Sequence, residues 1–308
     1  MRLKLGRPDI GAYRDRFDLP GAPTGAEPTV MWMGVSTLLV QDGSTALLTD
    51  GFFSRPGLVE VGFGRIHPAL PRIEESLRRA GIDRLTAVLP VHTHYDHVLD
   101  SAVVAECTGA VMAGGESAAN VARGQGLSAE RIVVAEPGVE MAFGSFDVIL
   151  VESQHCPPDR FPGTITEPLV PPAKTSAYRC GEAWSTLIQH RPTGKRVLIQ
   201  GSAGFRPGAL AGRQAGVAYL GVGQLGVQPR DYIEQYWTET VRAVGARRVV
   251  LIHWDDFFRP LTEPVRALPY AADDLDVTMR VFGALAERDG VALHLPEFWQ
   301  RADPWAGF

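Results

Sequence analysis

The sequence predicts an α/β fold, and three observations carry that expectation. Short apolar runs of strand type alternate with longer stretches of helical spacing, most regularly in the last third of the chain. With 308 residues and 45% hydrophobic content, the chain can bury a full core. No internal repeat, low-complexity tract or clear linker divides it, so one domain over 1–308 is the simplest organisation, with 1–28 as a polar lead.

The elements follow in order. After the Pro/Gly-rich GAPTGAEPT, the runs VMWMG, STLLVQ and TALLTD, with a turn at Asp42-Gly43, predict strands of a hairpin or meander. LPRIEESLRRA (70–80) has helical spacing and stops at Gly81. LTAVLPV is a buried-type strand that leads into VHTHYDHVLD (91–100). DSAVVAECTG predicts a helix capped by Asp100 or Ser101, and GGESAANVARGQG a second one closed by glycines. FDVILVES is a strand ending just before His155. The Pro-rich, aperiodic stretch over 157–178 predicts a long loop of the kind that covers an active site. EAWSTLIQH and RVLIQGS pair across RPTGK. VAYLGVG, DYIEQYWTETVRAV, RRVVLIHW, DDLDVTMRVFGALAERDG and VALHL then alternate strand and helix.

Charge and composition exclude several classes. A net charge of −5, with no Lys/Arg run beside aromatics, argues against nucleic-acid and anionic-membrane partners. MRLKLGRPDIGAYRDRF lacks the apolar core of an export signal, and no apolar run approaches the roughly 18 residues of a membrane span. Cys107, Cys156 and Cys180 are odd in number and without CxxC spacing, which argues against a disulfide framework or a cysteine zinc cluster. A cytoplasmic protein acting on a small molecule is expected.

The chemistry is concentrated in HTHYDH. His92, His94, Asp96 and His97 crowd six positions of a chain with eight histidines. Neutral imidazoles and carboxylates are ligands for zinc and similar ions. A strand end followed by a loop aims positions i, i+2, i+4 and i+5 at one point, where helical spacing would scatter them. His155 and His253, each just beyond a predicted strand, are further candidates.

HTHYDH resembles the HxHxDH signature of the metallo-β-lactamase superfamily. The resemblance extends over roughly residues 29–255, with Asp50 at the end of TALLTD and His253 in LIHWDDF. It implies an αββα sandwich of two mixed sheets flanked by helices. It also implies a zinc pair, manganese and iron being the alternatives, with His92, His94 and His155 on one ion and Asp96, His97 and His253 on the other. A metal-bridging hydroxide would attack the substrate, and Asp96 would receive its proton.

One position departs from the pattern. Most hydrolytic members place a bridging aspartate in a strand-end GD, whereas this chain has Gly201-Ser202. A serine hydroxyl cannot replace an anionic bridge. The ligand set resembles that of the third subclass of true metallo-β-lactamases, and the missing acid counts against the redox and phosphodiesterase branches. Hydrolysis of a lactone, ester or amide is therefore expected, with β-lactams only as incidental substrates. A phosphodiesterase and a catalytically inactive binding module are the rivals.

Supporting residues complete the reading. Asp50 is expected beneath the metal loop, and Asp255 beside an imidazole nitrogen. Ser202 is expected near a metal-bound water. Tyr95 would polarise a carbonyl or wall the pocket, and Arg160, Lys174, Tyr178 and Trp254 are candidate substrate contacts. Cys156 reads as a small buried residue, and His67, His190 and His294 as structural or surface positions. The terminal FWQRADPWAGF reads as core-capping, with a homodimer contact as its other use.

Overall fold

Alternating side chains in the first third of the chain are sorted into two apolar layers, and this sorting sets the architecture. In β1 (Thr29–Trp32), Val30 and Trp32 enter one core while Met31 enters another. In β2 (Leu38–Gln41), Leu38 and Val40 go one way and Leu39 the other. β3 (Ala46–Thr49) and β4 (Ala87–Leu89) repeat the division, with Leu47, Ala87 and Leu89 opposed to Leu48 and Val88. A strand whose two faces are both apolar must be covered on both sides, here by a second sheet and by helices.

The computed structural model describes residues 4–308. β5 (Val111–Gly114), β6 (Ile132–Val134) and β14 (Arg301–Ala302) complete a seven-stranded sheet of order β14-β1-β2-β3-β4-β5-β6. Its β14-to-β3 half is antiparallel and its β3-to-β6 half parallel. The second sheet holds β7 (Glu140–Phe143), β8 (Phe146–Glu152), β9 (Trp184–His190), β10 (Arg196–Gln200), β11 (Val217–Gly221), β12 (Arg248–Ile252) and β13 (Ala292–His294). It is also seven-stranded, antiparallel from β7 to β10 and parallel from β10 to β13.

Helices cover the outer faces. α2 (Leu70–Ala80), α4 (Ser101–Thr108) and α5 (Glu116–Gly124) lay Ile73, Leu77, Ala102 and Val121 on the first sheet. α6 (Arg230–Trp237), continued by a π turn over Thr238–Arg242, and α7 (Leu275–Asp289) lay Tyr236, Trp237 and Phe282 on the second. Gly81 stops α2 in the left-handed region at φ 67°, as the sequence predicts. The result is the expected αββα sandwich of two mixed sheets.

Several local expectations change. Asp100 does not cap α4; its carboxylate accepts from the Phe53 and Ser54 amides at 2.7 and 2.6 Å and from the Ser54 hydroxyl. The strands β5, β6, β7 and β14 and the short helix α1 (Leu58–Phe63) are additions to the sequence reading. The lead is folded: Ile10–Arg16 forms a 3₁₀ helix, Tyr13 donates to Asp276 at 2.6 Å, and Phe17 packs edge-on against Trp254. Trp305 is buried and Phe298 packs edge-on against Trp32, so the terminal aromatics close the core.

Candidate metal centre and its cavity

The candidate ligand residues lie where strand ends converge. β8 and β10 each pair antiparallel with β9, and β10, β11 and β12 are parallel, so β8, β10, β11 and β12 all run in one direction. Their C-terminal ends deliver His155, Ser202 and His253 to one edge of the sandwich, where β3 and β4 deliver Asp50 and the histidine motif. Gly201 permits the approach of the two sheets, since a Cβ there would lie 2.3 Å from Val91.

Within the motif, His94 is extended at φ −62° and ψ 153°, after which Tyr95–Val98 (α3) forms a single helical turn. The expectation of a plain loop is thus corrected. The change from extended backbone at His94 to a helical turn separates His92 and His94, in one group, from Asp96 and His97 in the next. The atoms of His92, His94 and His155 lie within 4.8 Å of one another, and so do those of Asp96, His97 and His253. His92 Nε2 is 3.1 Å from His94 Nδ1, and Asp96 Oδ2 is 3.6 and 3.5 Å from the Nε2 atoms of His97 and His253.

This arrangement fits divalent cations. Burial first, then the neighbouring histidines, push His92 well below the usual imidazole range and His155 down to about 4, which keeps both rings neutral. Burial would raise the Asp96 carboxyl, but His97 and His253 hold it below the ordinary range, as an anion. His155 Nδ1 lies 2.7 Å from the Cys156 carbonyl and His97 Nδ1 2.8 Å from Asp50 Oδ2, which turns each Nε2 towards its group. At His97 burial would lower the imidazole pKa, but Asp50, then Asp96, outweigh it and raise it above the usual range, so that ring gives up its proton when a cation binds. His97 Nε2 is buried without a hydrogen-bond partner among the described residues, a costly state that a cation would relieve.

Asp50 supports this centre on three sides. Its carboxylate contacts His97, accepts from Val91 N at 2.8 Å and from the Ser36 hydroxyl at 2.6 Å. Ser202 accepts from Cys156 N at 3.0 Å, which holds the backbone beside His155. Asp255 does not orient an imidazole. It accepts from Val35 N at 2.8 Å and forms a buried ion pair with Arg55 at 2.6 Å.

The other candidates divide. Tyr95, Asp96, His94, His155, His253 and Arg160 line one cavity of about 730 Å³. Tyr178 and Trp254 do not, and are corrected: both are fully buried, Trp254 against Trp32 at 5.2 Å, with the Tyr178 hydroxyl unpartnered in the core. Lys174 is exposed and outside the cavity lining.

The sequence reading omitted Asp159, whose Oδ1 lies 3.2 Å from His94 Nε2, off the axis of a hydrogen bond. Its place four residues after His155 was the available signal. His94, Asp159 and Cys180 form a third group within 4.8 Å. It shares His94 with the first, and burial followed by Asp159 pushes the Cys180 thiol up, away from the thiolate that binds metals.

Of the six non-glycine residues with positive φ among the described residues, five surround this centre: Val35, Asp50, Arg55, Gln224 and His253. Such strain costs on the order of 1–3 kcal/mol per residue and gathers at functional sites.

No family model matches the chain, and no curated protein matches it. Comparison with solved structures assigns the class: the chain has the metallo-β-lactamase fold. It is similar to the metallo-β-lactamase fold protein YhfI from Bacillus subtilis, with 13% identity, 88% of this chain and 95% of that chain covered, and a TM-score of 0.50. It is similar to Igni18, a metallo hydrolase from the hyperthermophilic archaeon Ignicoccus hospitalis, with 15% identity, 89% and 97% covered, and a TM-score of 0.55. A third neighbour is CmlA, a diiron β-hydroxylase from Streptomyces venezuelae, with 13% identity and a TM-score of 0.54; 92% of this chain aligns with 55% of that one. No helix among the described residues is long and apolar enough to cross a membrane.

Proposed function

We propose that this protein is a metal-dependent hydrolase that holds two adjacent zinc ions and cleaves a small acyl substrate such as a lactone, ester or amide. The observation that supports this most is the pair of three-ligand groups, both contributing to the wall of one cavity. Bound there, zinc would supply Lewis acidity and lower the pKa of water to about 7.

The chain's own residues supply the rest. Asp50 fixes the tautomer of His97. Asp96, held as a carboxylate between His97 and His253, would give Oδ2 to the cation and keep its other oxygen to take up a proton. Burial, then Asp96, push the Tyr95 phenol well above its usual range, so it stays a donor for a substrate carbonyl oxygen. Phe161 and Phe257 restrict water. Ser202, in place of an anionic bridge, favours acyl hydrolysis over the diiron chemistry of the CmlA type. The same reading takes a small molecule as partner and the cytoplasm as location.

The test is elemental analysis of zinc-loaded protein together with a screen of lactones, esters, β-lactams and phosphodiesters. We expect about two zinc ions per chain, from the two ligand groups, and acyl hydrolysis. His97→Ala is expected to lose about one ion and most turnover. One ion or none in the native chain overturns the zinc pair. Cleavage of bis(nitrophenyl) phosphate without lactone or ester cleavage replaces acyl by phosphodiester hydrolysis.

A further inference from the structure

We infer that the cavity selects an organic anion, a carboxylate or phosphate on an apolar body, and that Arg7 and Arg266 bind its charged end. The anion site stands on the cavity alone; its identification as the end of an acyl substrate rests on the hydrolase reading above.

Arg7 belongs to the N-terminal lead and Arg266 to the segment after β12, yet both line the cavity that His94, Asp96, His155 and His253 line. Their guanidiniums converge on a single oxygen. Arg7 Nη1 lies 3.1 Å from Asp256 Oδ2, and Arg266 Nε and Nη2 lie 2.9 and 2.8 Å from the same atom. Arg7 Nη1 also donates to the Ala267 carbonyl at 2.7 Å. One buried carboxylate thus braces two cations and neutralises one of them. Among the described residues, Arg7 Nε and Nη2 and Arg266 Nη1 make no hydrogen bond to the protein, so each fork keeps free N–H groups.

The charge count of the lining points the same way. Arg7, Arg160, Arg259 and Arg266 face two carboxylates, Asp96 and Asp256, and Asp96 already belongs to a metal-ligand group. Arg259 is paired with Glu263, whereas Arg160 has no ion pair among the described residues. An excess of positive charge beside a cluster built for cations is costly when alone and favourable when an anion enters. Paired guanidinium forks match the planar oxygens of carboxylate and phosphate. The same cavity is walled by the apolar Leu58, Val61, Phe161, Phe257 and Phe258. The cavity of about 730 Å³ is the size that takes a small organic molecule.

The test compares kcat/KM of the zinc-loaded chain on 4-nitrophenyl glutarate hemiester and on the neutral 4-nitrophenyl pentanoate. The hemiester is expected to be preferred, and Arg7→Gln and Arg266→Gln each to cut that preference about tenfold, equivalent to ~1.4 kcal/mol. Arg7→Lys restores part of it, and the exposed Arg280→Gln outside the cavity leaves it unchanged. Calorimetry with glutarate and with inorganic phosphate, on the same proteins, gives a readout independent of turnover and identifies the preferred anion. Anion binding that weakens in both Gln variants supports the site even where neither ester is cleaved, an outcome that sinks the hydrolase reading alone. Cleavage of both esters with equal preference, and anion binding unchanged in Arg7→Gln and Arg266→Gln, overturns the inference and leaves the hydrolase reading standing. A lowered melting temperature with unchanged selectivity and binding makes the arginines a brace for the lead, which also overturns it.

Discussion

Residue identity was most legible where chemistry is contiguous. His92, His94, Asp96 and His97 announce themselves because three imidazoles and one carboxylate share six positions, and no tertiary information is needed to see them. Asp159 was signalled only by its place four residues after His155, because its contact with His94 depends on the covering loop folding back. That fold is held by Cys180 N donating to the Phe161 carbonyl at 2.8 Å. Trp254 and Tyr178 were misplaced for a related reason. Trp254 follows a candidate ligand and Tyr178 ends the covering loop; neither place says on which side of the backbone a side chain lies, and both turn into the core. Carboxylates beside ligating imidazoles typically tune metal affinity by 10–100-fold. Asp159→Ala is therefore expected to weaken the ion held by His92, His94 and His155 by about tenfold or more, measured by chelator competition. An unchanged affinity would reduce Asp159 to a turn residue, since its Oδ1 also accepts from Phe161 N at 2.9 Å.

At the scale of elements, strand and helix identities followed from periodicity, while the connections that aim the ligands did not. The turn before β2 and the loop after β3 are tied to the end of β12 by a buried network. His253 N donates to the Val35 carbonyl at 2.9 Å, and Asp255 holds both Val35 N and Arg55. The Arg55–Asp255 pair is almost wholly buried, so removing one partner strands a charge in the interior, at a cost of about 3–5 kcal/mol. Urea unfolding of Asp255→Ala should show a loss in that range. A loss under about 1 kcal/mol would mean that water reaches Arg55 and that the pair is not the clamp described here. Asp255 was singled out in the sequence for its place after His253. Its partner, Arg55, lies some two hundred residues away, beyond the reach of any local pattern.

The whole molecule sets the electrostatics that no segment sets alone. Asp273 lies just before α7 and is sealed by the packing of that helix. Burial pushes its carboxyl up to about 7, against the pull of the Gly226 amide at 3.0 Å. An unfolded carboxyl titrates near ~3.9, so the folded state binds the proton more tightly. Stability from this group is present below about pH 4 and is lost as pH rises towards about 7. Asp273→Asn removes the titration. Its melting temperature relative to the native chain should therefore rise with pH across that window, as followed by calorimetry at fixed ionic strength. A constant difference would show that Asp273 is ionised throughout.

The amino-acid sequence by itself determined the alternation of strand and helix and singled out the six candidate ligand positions. Both are written in local spacing and in residue chemistry, and a strand end needs only its own residues to present a histidine. The packing of the two sheets face to face, the burial of Trp254 and the Arg55 clamp were decided by tertiary structure alone. So was the return of Arg7 from the lead to the cavity. Each of these joins residues far apart in the chain, and only the closed packing of the two sheets, which removes their apolar faces from water, brings such residues within reach.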